Sequence, residues 1–205
     1  MAAGEVKVSA ALPDHVGAYF TQAAAVPVEE RKSVPDQFAA VLRTVAQNSA
    51  LTDAVLARND DRMGLTQQEI AQLGKRWDTA VQNGDRPRIE SLMDAAAAKT
   101  LATFRDQHLP AGSRLFLSDN RGMLAASTTP AEGFIVTGWN DWRRIYLGPT
   151  GKVYSSTVET GTDNRFARIE VAVRPHEKAD AIGVLIAEIP LPAKNKTELT
   201  ALTAP

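Results

Sequence analysis

The hydrophobic period of the sequence changes near residue 110, and this change limits the chain to a fold with helices first and strands second. In the first half, apolar residues such as Phe38, Leu42 and Val45 recur at helical spacing. In the second half, short apolar segments alternate between two faces, most clearly over residues 166–173. We therefore predict an α+β fold in which N-terminal helices pack on a sheet.

Local signals mark the helices of the first half. Thr66 with Glu69 three residues later is a capping box, which predicts the start of a helix. Pro87 lies near the first turn of the next helix, where its missing N–H costs little, and Pro110 ends the helical region. Trp77 lies on an apolar helical stripe, so we assign it to the core.

Five segments of the second half have the composition of strands. They lie at 114–118, 122–127, 152–158, 166–173 and 181–189. The first two flank a turn in which Asp119 can cap the backbone and Gly122 can adopt a positive φ. The predicted elements occur in the order hairpin, long helical connection at 128–151, strand and second hairpin. This is the order of a five-stranded antiparallel PAS-like sheet.

The two faces of this sheet have different predicted environments. We expect the preceding helices to cover one face and the connection 128–151 to cover the other as a lid, with a pocket beneath it. Ile169 and Val171 would then face the helices, and Arg168 and Glu170 the pocket. Alternation alone, however, favours solvent exposure for the two charged residues.

The predicted organisation has four regions. Residues 1–33 form a partly helical N-terminal segment, and residues 191–205 form a polar tail. Residues 34–110 are the helical region and residues 111–190 the sheet region, and we expect these two to make one domain.

Composition excludes several classes of function. The chain has no cysteine, which excludes disulfides, thiolate zinc sites and cysteine nucleophiles. A formal net charge of −1 gives no electrostatic footprint for nucleic acid, and no segment reaches the ~18 apolar residues of a membrane span. The three histidines have no metal-ligand spacing, and catalytic motifs are missing. We predict a protein that is not an enzyme, without a metal or cofactor, a nucleic-acid partner or a membrane span in this chain.

An aromatic stretch at 137–146 is the main candidate for a binding site. Trp139, Trp142, Arg143 and Tyr146 fall at i, i+3, i+4 and i+7, so a helix would place them on one face. Arg143 could clamp a carboxylate while the tryptophans supply apolar and cation–π contacts. The alternative is that these aromatic side chains belong to the core, and the spacing alone favours that alternative.

Several stretches in this order resemble the Cache, or PDC, extracytoplasmic sensor domains of bacterial signal transduction. They are "AVLARNDDRMGLTQQEIAQLGKRWD", "LFLSDNRGMLAAST", "GKVYSSTVETGTDNRFARIEVAV" and "AIGVLIAEI", and the resemblance covers about 34–190. It implies a PAS-like fold and a periplasmic or other extracytoplasmic location. It also implies a small organic ligand under the 128–151 lid, with a receptor or kinase partner or a homodimer through the N-terminal helices.

The resemblance, together with the residue chemistry, defines a set of candidate ligand-binding residues. They are Trp139, Trp142, Arg143, Tyr146, Tyr154, Asp163 and Arg168. Such domains often carry an acidic pair before the loop tryptophan, whereas Gly138 here is followed by a single carboxylate, Asp141, before Trp142. The ligand therefore stays open between a carboxylate, an amino acid and an amine. The alternative is a stand-alone periplasmic interaction or structural module of the same fold with no small ligand.

Overall fold

The computed structural model describes residues 28–137, 144–146, 148, 152–160, 164–176 and 179–191. Five helices come first in this part of the chain. They are α1 (Val28–Ala46), α2 (Ser49–Arg62), α3 (Gln67–Gln82), α4 (Arg86–Ser91) and α5 (Ala95–His108). Within the described residues, no helix has the combined length and hydrophobicity that crossing a membrane requires.

Polar side chains cap four of the helices at their first turns. The capping box at α3 is confirmed, because Thr66 accepts from the Glu69 backbone N–H and Glu69 accepts from the Thr66 backbone N–H. Asn48, Asp85 and Asp94 each accept a backbone N–H in the first turns of α2, α4 and α5.

Five strands follow the helices, as the sequence predicts. They are β1 (Arg114–Ser118), β2 (Leu124–Ser127), β3 (Val153–Thr160), β4 (Asn164–Val173) and β5 (Gly183–Leu191). They form one sheet in the order β2-β1-β5-β4-β3, in which all neighbours are antiparallel. The α+β class and the five-stranded antiparallel sheet are therefore confirmed, and residues 128–152 form the long connection between the second and third strands.

The first hairpin has the predicted turn chemistry. The Asp119 carboxylate accepts the backbone N–H groups of Arg121 and Met123, and Gly122 has a φ of +77°. Strand β2 begins at Leu124, two residues later than predicted, because Met123 pairs instead with Ile135 of the connection.

One face of the sheet, which we call the helix face, packs against α1, α2 and α5. Its apolar core includes Leu42, Val55, Leu101, Ile169 and Val171. The predicted orientation of Ile169 and Val171 towards the helices is therefore confirmed.

The opposite face, which we call the connection face, has a more complex cover than predicted. The connection contributes Phe134 and Ile145, but α3 contributes the fully buried Trp77, and α4 contributes Ile89. The Trp77 indole N–H donates to the Ala131 carbonyl, so α3 is tied directly to the connection. The expectation that all helices lie on one face is thus wrong, because the apolar stripe of α3 finds its partners under the connection.

Candidate functional site

Four charged side chains form a cluster on the connection face. Register pairs Arg114 of β1 with Glu188 of β5, and pairs Glu188 with Arg168 of β4. Glu170 lies two residues after Arg168 on the same strand and therefore on the same face. The sheet thus brings two arginines and two glutamates together, and we call this set the charge cluster.

The charges of the cluster alternate in sign and are in direct contact. Glu188 lies between the two arginines, with Oε2 at 2.6 Å from Arg114 Nη2 and Oε1 at 3.1 Å from Arg168 Nη1. Arg168 Nε donates to Glu170 Oε1 at 2.8 Å. Only 3% of Glu170 and 5% of Glu188 is exposed, so both carboxylates are removed from water. Solvent exposure of the Arg168 and Glu170 pair, which alternation favoured, is therefore wrong.

The charge cluster is also joined to the connection. The Arg168 guanidinium donates through Nη2 to the backbone carbonyl of Val136, 32 residues earlier in the chain. One side chain therefore contacts both glutamates of the charge cluster and the backbone of the connection. Because a guanidinium offers its donors in a fixed planar fork, this one group links the connection to the two carboxylates.

Two tyrosines lie on the same face of the sheet, beside its apolar cluster. Tyr154 of β3 is in register with Glu170, and Tyr146 lies in a short helical turn of the connection at 144–146. Both are half-buried and pack against the apolar cluster of the connection face. Burial raises the pKa of the Tyr146 phenol far above its ordinary value, so this group stays neutral. Arg144 and Lys152 place their cationic groups 5.0 and 5.4 Å from the centre of the Tyr154 ring.

The structure brings three of the predicted site residues to one face. Tyr146, Tyr154 and Arg168 all belong to the connection face, and their role in binding a ligand stays a prediction. The other four candidates lie outside the described residues and stay predictions, namely Trp139, Trp142, Arg143 and Asp163.

Sequence reasoning missed three members of the site. Arg114 and Glu188 were not selected, and Glu170 was noted only for its position beside Arg168. A signal for Glu188 exists in the sequence, because it is the single charged residue in a strand segment that is apolar on both faces. Such a residue must find a partner when the strand is central in the sheet.

The apolar part of the connection face is filled by side chains of the protein itself. The rings of Trp77 and Phe134 lie 5.9 Å apart between their centroids, and Phe116, Ile145 and Ile186 belong to the same cluster. Among the described residues, no group of three or more acidic or histidine side chains could hold a metal ion.

A separate buried ion pair, outside the charge cluster, anchors the first hairpin to α2. Arg62 Nη1 lies 2.8 Å from Asp119 Oδ2, and Arg62 Nη2 donates to the Leu124 carbonyl. Burial lowers the pKa of the Arg62 guanidinium, while its hydrogen bond to Asp119 opposes that shift. The Arg62 guanidinium also lies 5.1 Å from the centre of the Phe134 ring, so the hairpin, α2 and the connection meet at one residue.

Comparisons with known structures give neighbours of low sequence identity, two of which are described here. Neither a scan of protein families nor a search of curated proteins gives a match. The sensor domain of the V. cholerae histidine kinase DctB is 16% identical, with a TM-score of 0.43, and the match covers 75% of this chain and 48% of that one. The periplasmic domain of RsbU from Chlamydia trachomatis is 13% identical, with a TM-score of 0.33, and the match covers 86% and 58%. The chain thus spans about half the length of these two structures.

Proposed function

We propose that this domain senses a small organic molecule, a carboxylate, an amino acid or an amine, that binds between the connection face and the lid at 128–151. The observation that carries this proposal is the charge cluster beneath the connection. A carboxylate ligand would compete with Glu170 or Glu188 for Arg168, and an amine would compete with Arg168 for the glutamates.

Stability alone does not account for the charge cluster. Removing charges from water is costly, and buried ion pairs are often no more stabilising than apolar side chains of similar volume. The helix face of the same sheet packs through an extended apolar cluster, whereas the connection face buries two glutamates. Charged groups in a covered position on the face that the lid closes are suited to recognise a polar ligand.

The proposed mechanism uses the bond between Arg168 and the Val136 carbonyl. A ligand that engages Arg168 changes the balance of its contacts with the connection and with the two glutamates. Movement of the connection would reach α3 through the hydrogen bond between Trp77 and Ala131. The response requires that the ligand bind one conformation of the connection better than the other.

The proposed setting comes from the sequence resemblance to Cache domains. It comprises an extracytoplasmic, periplasmic location, a role in bacterial signal transduction, and a receptor or kinase partner or a homodimer through the N-terminal helices. These assignments are tested in cells by localisation and by crosslinking, separately from ligand binding.

Thermal unfolding in the presence of a panel of compounds tests whether the domain binds a small ligand. Amino acids, small carboxylates and amines are screened, and tryptophan fluorescence is recorded in parallel. A ligand at one hundred times its Kd stabilises the folded state by about 2.7 kcal/mol. We expect Arg143→Ala to abolish this stabilisation with little change in the melting temperature of the free protein. Arg76→Ala, at an exposed position on α3, is the matched control and keeps the response.

A second candidate function is an interaction or structural module that binds no small molecule. The filled apolar half of the connection face favours it, because Trp77 and Phe134 occupy space that a ligand would need. If no compound in the panel changes unfolding or fluorescence, this second function replaces the first.

A further inference from the structure

The first hairpin, residues 118–124, lies at one edge of the sheet and contacts the covers of both faces. Strand β2 is the outermost strand on this side of the sheet. On the helix face, α2 is buried through Leu51 and Val55, and on the connection face the connection is buried through Phe134. The sheet lies between these two covers, whereas the hairpin is bonded to each of them.

The end of α2 and the hairpin bind each other through reciprocal hydrogen bonds. The Asn59 side chain accepts from the backbone N–H of Asn120 at 2.9 Å. In the opposite direction, Arg121 Nη1 donates to the backbone carbonyls of Arg62 and Leu65, both at 3.0 Å. Each segment therefore holds the backbone of the other, and the hairpin is fixed both to the last turn of α2 and to the loop that follows it.

The connection binds the same hairpin from the other face. The Val136 N–H donates to the Gly122 carbonyl at 2.9 Å. The hydroxyls of Ser118 and Thr137 share a hydrogen bond at 3.3 Å, and both residues are buried. These contacts hold residues 136 and 137 of the connection directly against the hairpin.

One residue of the hairpin, Leu124, is bonded to both covers. Its N–H donates to the Phe134 carbonyl at 2.7 Å, and its carbonyl accepts from Arg62 Nη2 at 3.0 Å. The Asp119 carboxylate stiffens the turn, because Oδ1 accepts two backbone N–H groups of the hairpin while Oδ2 pairs with Arg62. That ion pair is buried, so salt screens it little. A hairpin held in this way has little internal freedom between its two sets of contacts.

We propose that the first hairpin is a coupling element through which the connection and the end of α2 move together. A displacement of the connection at 134–137 moves the hairpin backbone, which moves α2 through Asn59 and Arg62. This route differs from the bond between Trp77 and Ala131, because α2 covers the helix face whereas α3 covers the connection face. The coupling is a property of the fold without a ligand, so it stands or falls separately from the proposed sensing function.

Hydrogen exchange of the whole chain, followed by NMR without any added compound, tests the coupling. Asn59→Ala removes the α2 side chain that binds the hairpin but leaves the bond between Val136 and Gly122 in place. Loss of one or two hydrogen bonds changes an opening equilibrium by about five- to thirtyfold. We expect exchange of the Val136 N–H to become at least about fivefold faster relative to Ile186, which lies in the central strand β5 and reports global unfolding. An unchanged ratio overturns the proposal, because the connection then opens independently of α2.

A substitution on the connection side should have the converse effect, because coupling between two sites is reciprocal. Thr137→Val deletes the hydroxyl that bonds to Ser118. Exchange of the Met63 and Leu65 N–H groups, at the end of α2 and in the next loop, should become faster relative to Ile186. Unchanged exchange at both amides would mean that a contiguous set of bonds is present but carries no coupling.

Two variants control for effects on α2 alone. Asp53→Ala alters an exposed position earlier in α2, and it should leave exchange at Val136 as in the wild type. If it accelerates that exchange as much as Asn59→Ala does, helix stability is responsible and the hairpin is not the coupling element. If Asn59→Ala fails to fold, Arg121→Gln, which loses the bonds to the Arg62 and Leu65 carbonyls, decides the outcome by the same measurement.

A direct contact between α2 and the connection must be separated from the route through the hairpin. The Arg62 guanidinium lies 5.1 Å from the centre of the Phe134 ring. Phe134→Leu removes the ring, and Asn59→Ala should accelerate exchange at Val136 in this background as strongly as in the wild type. Loss of the effect in the Phe134→Leu background assigns the coupling to the ring contact and overturns the role of the hairpin.

Discussion

The two faces of the sheet are both covered, but they are covered in chemically different ways. On the helix face, α1, α2 and α5 bury a continuous apolar cluster. On the connection face, an apolar half centred on Trp77 adjoins the charge cluster of Arg114, Glu188, Arg168 and Glu170. The same strands supply both environments, so the difference lies in what each face must contact.

Strand β5 shows the contrast within four consecutive residues. Leu185 and Ala187 belong to the helix face, whereas Ile186 belongs to the apolar half of the connection face and Glu188 to the charge cluster. All four are nearly fully buried. Glu188 does not lie on the helix face, so packing on that face does not explain why this residue is charged. Its charge is explained by its contacts on the connection face.

The largest expected effect comes from truncating the apolar core of either face. Trp77→Ala should lower the free energy of unfolding by about 3–5 kcal/mol, and Leu101→Ala on the helix face by about 2–5 kcal/mol. Urea unfolding measures both, and unchanged m-values would show that only stability has changed. If Trp77→Ala costs less than about 1 kcal/mol while Leu101→Ala costs the full amount, the connection face is not a packed core.

The next-largest expected change in stability comes from substitutions in the charge cluster. Arg168→Met should lower the free energy of unfolding by about 3 kcal/mol, because it leaves buried carboxylates with one cation fewer. Adding Glu170→Leu restores the charge balance around the remaining Arg114 and Glu188 pair, and most of the stability should return.

Ligand response and stability should separate in this double variant. We expect it to fold with near wild-type stability and to lose any response to the compound panel. If the double variant keeps a full ligand response, the charge cluster is a structural feature and the ligand site lies elsewhere. If the single and double variants are equally unstable, packing around the Arg168 stem outweighs its charge.

Much of the fold could be predicted because its signals are local. The capping box at Thr66 and Glu69 and the turn at Asp119 and Gly122 each depend on residues within a few positions of one another. Strand alternation likewise predicted the burial of Ile169 on the helix face. Local hydrogen bonding and hydrophobic period specify these features without reference to distant parts of the chain, and the local preferences agree with the final fold.

The charge cluster could not be predicted in the same way, because its contacts are tertiary. Arg168 meets Glu188 across 20 residues and the Val136 carbonyl across 32. Alternation places Arg168 on a face but does not say what covers that face. The position of α3 on the connection face was missed for the same reason, since an apolar stripe predicts burial without naming the partner.

A smaller effect tests how closely the connection lies against the first hairpin. Gly122 and Gly84 both have positive φ, but a Cβ at Gly122 would lie 2.9 Å from the Thr137 carbonyl oxygen, whereas nothing lies within 4 Å at Gly84. Gly84→Ala should therefore cost about 1–2 kcal/mol for backbone strain alone, and Gly122→Ala should cost more. Thermal unfolding compares the two variants. Equal costs would mean that the connection yields at Thr137 without penalty.

The smallest expected effect is a pH dependence at the start of α3, the main helix of the connection face. Hydrogen bonds from the Thr66 backbone N–H and hydroxyl to the carboxylate lower the pKa of Glu69 below its ordinary value. A carboxyl group with a lowered pKa in the folded state stabilises the fold above its unfolded pKa. That contribution is lost as the pH falls through the lowered pKa.

The amide resonances of Thr66 and Glu69 should therefore titrate with a midpoint below the ordinary range for glutamate. In Glu69→Gln the capping box persists without a titrating group, so the same resonances should stay constant over that range. The start of α2 is an internal control because its cap, Asn48, does not titrate. Parallel acid-induced changes at both helix starts would point to global acid unfolding rather than to the capping box.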